Sequence, residues 1–107
     1  MLVMSIGIEI SSEMIEAFCR RNHIRGFSFF GSVLRRDFRA DSDVDVLVEF
    51  EGSYCPDLLE IVRMENALME MFGHRVDLVE RESVVASKNY IRRRHILESA
   101  ETVYVAG

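Results

Sequence analysis

Residues 31–50 read GSVLRRDFRADSDVDVLVEF, and this stretch decides how the chain is read. In its second half, Val44, Val46 and Val48 alternate with Asp43, Asp45 and Leu47. A period of two is the signature of a strand, and β-branched valines suit a pleated surface. Positions two apart on a strand project from one face, so Asp43 and Asp45 point one way while Val44 and Val46 enter the opposite layer. Two carboxylates that close raise each other's pKa, a cost that a divalent cation between them removes. Mg²⁺ prefers hard oxygen ligands, often one or two carboxylates together with substrate phosphates.

Upstream, Phe27-Ser28-Phe29-Phe30 is short, aromatic and β-prone, and it runs straight into Gly31-Ser32. Glycine lets a backbone approach a phosphate closely. A helical turn starting there would offer free N–H groups to an anion, with the Ser32 hydroxyl as a further donor. Residues 33–40 are polar and basic and are expected to form one helical turn and a loop. Their Arg35, Arg36 and Arg39 are either phosphate donors or solvated loop charges. Downstream, residues 75–79 alternate again around Asp77. An acid between Val76 and Leu78 is either a plain surface acid or one that faces a site. If the two strands are neighbours, Asp77 completes a cluster of three carboxylates. Such a cluster suits phosphoryl or nucleotidyl transfer, in which two metals about 3.5–4 Å apart clamp the attacking and leaving oxygens. The protein then supplies mainly position and charge.

Around this centre the chain alternates in type. Ser11-Ser12-Glu13 looks like a helix start, followed by Met14, Ile15, Phe18 and Cys19 at helical spacing, with Asn22, His23 and Gly26 as a stop. Pro56 is expected in the first turn of a helix whose apolar stripe runs from Leu58 to Phe72 and ends at Gly73. Residues 87–98 read as a helix with Ile91, Ile96 and Leu97 inward, and residues 102–105 as a terminal strand. The order α-β-α-β-α-β-α-β predicts an α/β (α+β) fold, a small mixed sheet of about four strands covered by helices, in one domain over residues 1–107.

Composition sets bounds on this reading. With 107 residues and 49% hydrophobic residues, the chain can build a compact core, and its small size makes a partner chain or self-association a help. A net charge of -5 disfavours a polymerase-like grip on nucleic acid, whose phosphates demand a basic excess. Cys19 and Cys55 form no disulfide framework, residues 1–10 are apolar but short, and no stretch reaches membrane-spanning length. A soluble cytoplasmic protein is expected. Arg92-Arg93-Arg94-His95 reads as a solvated helix face or a partner contact rather than a nucleic-acid patch. His23, His74 and His95 lack ligand spacing, Cys19 reads as core, Cys55 as a loop thiol, and Met64, Met69 and Met71 as core filler.

Gly31-Ser32 followed after ten residues by Asp43-x-Asp45 resembles the signature of the DNA polymerase β-like nucleotidyltransferase superfamily. The full run of residues 31–50, with RVDLV at 75–79, looks like its minimal nucleotidyltransferase (MNT) branch, and the similarity covers roughly residues 15–105. The resemblance implies that Asp43 and Asp45 ligate two Mg²⁺ ions and that Asp77 ligates the catalytic one and helps deprotonate the acceptor. It also implies that Gly31 and Ser32 hold the triphosphate of ATP, and that Arg35 matches a common family arginine. The implied partner is a HEPN-domain toxin, and the implied reaction is transfer of AMP from ATP to a tyrosine hydroxyl of that partner. Arg36 stands where the family usually has glycine, which favours an alternative, an antitoxin that neutralises its partner by binding alone. Transfer to a small molecule such as an aminoglycoside ranks last, because the chain is short for a separate acceptor domain.

Overall fold

In the computed structural model, which describes residues 11–34 and 42–106, the alternating stretch forms an inner strand, β2 (Val44–Phe50). It pairs antiparallel with β1 (Ile24–Phe30) and parallel with β3 (Val76–Glu80). β1 also pairs antiparallel with β4 (Glu101–Val105), giving a four-stranded mixed sheet in the order β3-β2-β1-β4. The expected mixed sheet is therefore present. Parallel neighbours need a crossover, and here α2 (Leu58–Phe72) supplies it.

The valine face of β2 is the floor of the main core. Ile15, Phe18 and Cys19 of α1 (Ser12–Arg21) and Met64, Leu68 and Phe72 of α2 pack onto Val44, Val46 and Val48 and their cross-strand neighbours. Both sets recur at three- or four-residue spacing, so each helix commits one stripe to the sheet. Phe27 meets Phe18 and Phe29 edge to face, with ring centroids 6.3 Å and 5.4 Å away. Met69 and Met71 pack against the same cluster, as core filler does. The opposite sheet face carries a smaller cluster of Phe30, Leu47, Val84 and Ile96 beneath α3 (Arg81–Val85) and α4 (Tyr90–Ser99).

Local chemistry explains where the elements begin, and corrects four expectations. Pro56 lies one residue ahead of the α2 cap rather than in its first turn. The cap is Asp57, whose carboxylate accepts the Glu60 N–H at 2.8 Å while the Glu60 carboxylate accepts the Asp57 N–H at 3.4 Å. Gly73 ends α2 in the left-handed region, with φ 71. Ile91, expected inward, is 80% exposed, whereas Ile96 is 4% exposed. Five residues make about 1.4 helical turns, so the two side chains cannot share a face. The short α3 follows β3 directly and buries one residue, Val84, which leaves no period to read. β1 also begins three residues before the expected strand at 27, at Ile24.

Cys19 is fully buried and Cys55 exposed, both as free thiols. Burial pushes the Cys19 thiol up to about 12. No helix among the described residues is long and apolar enough to cross a membrane.

Two outcomes follow from this packing. Leu68→Ala removes a fully buried side chain and should lower the unfolding free energy by about 2–5 kcal/mol in urea titrations. A thiol reagent at neutral pH should label Cys55 quickly and reach Cys19 only on unfolding, because a buried thiol titrating near 12 supplies almost no thiolate.

Candidate active site

The register between β2 and β3 sets Asp45 directly opposite Asp77, with Val44 opposite Val76 and Val46 opposite Leu78. Cross-strand partners sit about 4.8 Å apart and face the same side. The flanking pairs enter the helical core, so the two acids share the other face. On its second side Asp45 pairs with Phe30, the last residue of β1. The chain leaving β1 at Gly31 therefore emerges beside Asp45.

Three contacts hold this register. The Val44 N–H donates to the Arg75 carbonyl at 2.8 Å, and His74 Nδ1 lies 3.1 Å from the Ser42 carbonyl. Both tie the chain before β2 to the turn before β3. On the outermost strand, β3, the Leu78 N–H donates to the Glu65 carboxylate of α2 at 3.0 Å. Sequence reasoning missed Glu65, because one acid among helical charges carries no sign of a partner thirteen residues away. His74, which lacks ligand spacing, serves here to tie the two strand entrances together.

Gly31 has φ +77, and a Cβ built there would lie 2.3 Å from Asp45 Oδ2. Glycine is thus required twice, by backbone conformation and by the carboxylate packed against it. Gly31 opens a 3₁₀ turn, Gly31–Leu34, of which Ser32 is the second residue. Asp43 stands just before β2, two residues ahead of Asp45, and is exposed; Asp45 is half-buried and Asp77 exposed. Arg35, Arg36 and Arg39 lie outside the described residues.

The structure thus brings Gly31, Asp45 and Asp77 together, with Asp43 next along the chain. It does not draw them into a closed cage: among the described residues, no three His, Cys, Asp or Glu side chains are grouped closely enough to hold a metal ion. Adjacent carboxylates repel, and Mg²⁺ in phosphate chemistry takes one or two of them and fills its octahedron with water and phosphate oxygens. Hard oxygen donors on one face, beside a glycine whose missing side chain leaves the backbone approachable, fit that ion and a bound phosphate.

A family model described as a nucleotidyltransferase domain matches residues 11–100. Over 61 residues the chain is 43% identical to the protein adenylyltransferase MntA of Thermococcus cleftensis, a match covering 57% of this chain and 60% of that protein. The chain therefore spans less than two thirds of that relative. Among solved structures, a candidate minimal nucleotidyltransferase superposes with a TM-score of 0.63 at 34% identity, covering 84% of this chain and 86% of the other. A chain from the complex of tri-AMPylated Shewanella oneidensis HEPN toxin with MNT antitoxin shares the fold, with a TM-score of 0.60 at 15% identity over 89% of this chain and 70% of that one.

Gly31→Ala should displace the Asp45 carboxylate and strain the backbone, lowering stability by about 1–3 kcal/mol. A double-mutant cycle of Gly31→Ala with Asp45→Ala, read by urea titration, should show a coupling of about 0.5 kcal/mol or more, because removing the carboxylate relieves the clash and leaves the φ strain.

Proposed function

Because the chain belongs to the nucleotidyltransferase domain family, we propose that it transfers AMP from ATP to a tyrosine hydroxyl of a HEPN-domain partner, as the antitoxin of a cytoplasmic toxin–antitoxin pair. The observation that carries this reading is the Asp45–Asp77 pairing beside Gly31. The likeness to MntA supports protein as the acceptor. The shared fold of the MNT antitoxin complex supports the kind of partner. Two free thiols, one of them exposed, suit a reducing compartment.

In this reading Asp45 and Asp77, with Asp43 beside them, would each offer carboxylate oxygens to Mg²⁺ that water and phosphate oxygens complete, and the Gly31-Ser32 backbone and Arg35 would hold the triphosphate. The metal, when bound, neutralises charge on the phosphates and the leaving group. The acceptor oxygen bonds to the α-phosphorus, the bond between the α-phosphorus and the bridging oxygen breaks, and pyrophosphate leaves with that oxygen. The hydroxyl proton passes to Asp77 and on to water; the exposure of Asp77 suits that exchange. Asp45, half-buried between Phe30 and Asp77, is the fixed member of the set. Most of the rate then comes from alignment and charge, since no covalent enzyme intermediate is needed.

The test is transfer of label from ATP radiolabelled at the α-phosphate to a purified HEPN-domain partner. Labelling should vanish with EDTA and return with excess Mg²⁺. Asp45→Asn and Asp77→Asn should each slow it about 100-fold or more, with urea midpoints close to wild type. A wild-type rate in Asp45→Asn sinks the proposal. A partner that is inhibited yet unmodified by mass spectrometry would instead support the binding-only antitoxin that Arg36 favours.

A further inference from the structure

The next side chain along β3 on the face of Asp77 is Val79, about 6–7 Å further on. Val79 lies at the base of a cleft of about 90 Å³ between α3 and α4, whose other lining includes Ser83, Ser87, Arg92, Arg93 and Ile96. Arg93 is held in place. Its Nη1 donates to the carbonyls of Val85 at 3.3 Å and Ser87 at 3.5 Å, and its guanidinium lies 5.3 Å from the centre of the Tyr90 ring. Arg92 is exposed at the rim.

The chain carries 18 acids against 13 lysines and arginines, so carboxylates are plentiful. Arg20, Arg25, Arg81 and Arg94 each lie within ion-pair distance of one. Among the described residues Arg21, Arg63, Arg75, Arg92 and Arg93 do not, and of these five only Arg92 and Arg93 line this cleft. A guanidinium pinned in advance and unmatched by a carboxylate is prepared for an oxyanion, which its planar fork grips through two bonds. The volume admits a group the size of a carboxylate.

Position selects the source of that carboxylate. Gly31 follows β1, the cleft opens onto β3, and β2 with Asp45 runs between them. If the Gly31 turn takes the donor triphosphate, the cleft lies on the other flank of the acids, where an acceptor approaches an in-line displacement. We infer that the α3–α4 cleft is an acceptor subsite in which Arg92 and Arg93 grip an acidic side chain of the protein that presents its hydroxyl at Asp77. The inference rests on the transferase reading above.

Steady-state transfer from ATP to the HEPN-domain partner tests it, comparing wild type with Arg92→Gln, Arg93→Gln and Arg93→Lys. The glutamine variants should raise the KM for the acceptor protein about tenfold or more and leave the KM for ATP unchanged. Arg93→Lys, which keeps the charge but loses the fork, should fall between. Arg94→Ala, on the same helix but paired with Glu98 at 3.0 Å, should match wild type. Added NaCl should raise the acceptor KM of wild type more steeply than that of the glutamine variants. Arg92→Gln breaks no hydrogen bond of the fold, so it remains informative if Arg93→Gln destabilises the helix pair. An unchanged acceptor KM, or a rise in the KM for ATP instead, overturns the subsite. Absence of transfer by the wild type sinks the transferase reading itself, so the two failures are distinguishable.

Discussion

The parallel pairing of β2 with β3 is the constraint on which the rest of the molecule depends. A strand's side chains alternate with a period of two, so a slip of one residue would turn Val44, Val46 and Val48 outward and drive Asp45 into the helical layer. Burial of the valines and exposure of the acids are therefore one decision. Core packing enforces it from below. The Val44–Arg75 and Ser42–His74 contacts enforce it at the strand entrances, and the Glu65–Leu78 contact enforces it at the border. Stability and site geometry are coupled for this reason: the contacts that hold the sheet in register also set the two carboxylates abreast.

How the faces are divided follows from the same pairing. α1 and α2 cover the apolar face and take nearly all the large buried side chains. α3 and α4 cover the other face only in part, over Phe30 and Leu47, and leave the row of Asp45 and Asp77 accessible. A small domain with one strong core can leave half of its second sheet face open to chemistry, because the hydrophobic contribution has already been made on the other side.

Much of this was legible in the residues. The valine–acid alternation announced β2 and the face of Asp45, and RVDLV announced β3, whereas the contact of Gly31 with the Asp45 carboxylate was not legible in a glycine that sequence alone offers to a phosphate. Other features were hidden for physical reasons. Partners distant in sequence, such as Glu65 with Leu78, leave no periodic trace. A five-residue helix with one buried side chain, as in α3, falls below the length at which a stripe can be seen. Ile91 looked like a core residue because it is apolar, but the phase of the helix belongs to Ile96, and an isolated exposed isoleucine on a surface is ordinary. Pro56 was misplaced by one residue because Asp57 and Glu60 satisfy each other's backbone N–H and so own the start of α2.

The Glu65 carboxylate seated on the Leu78 N–H has an outward meaning as well. The middle residue of β3 has no amide to offer a visiting strand, so backbone zippering along that border is interrupted at its centre. A margin broken in this way is a poorer template for the strand stacking by which bare edges seed aggregates.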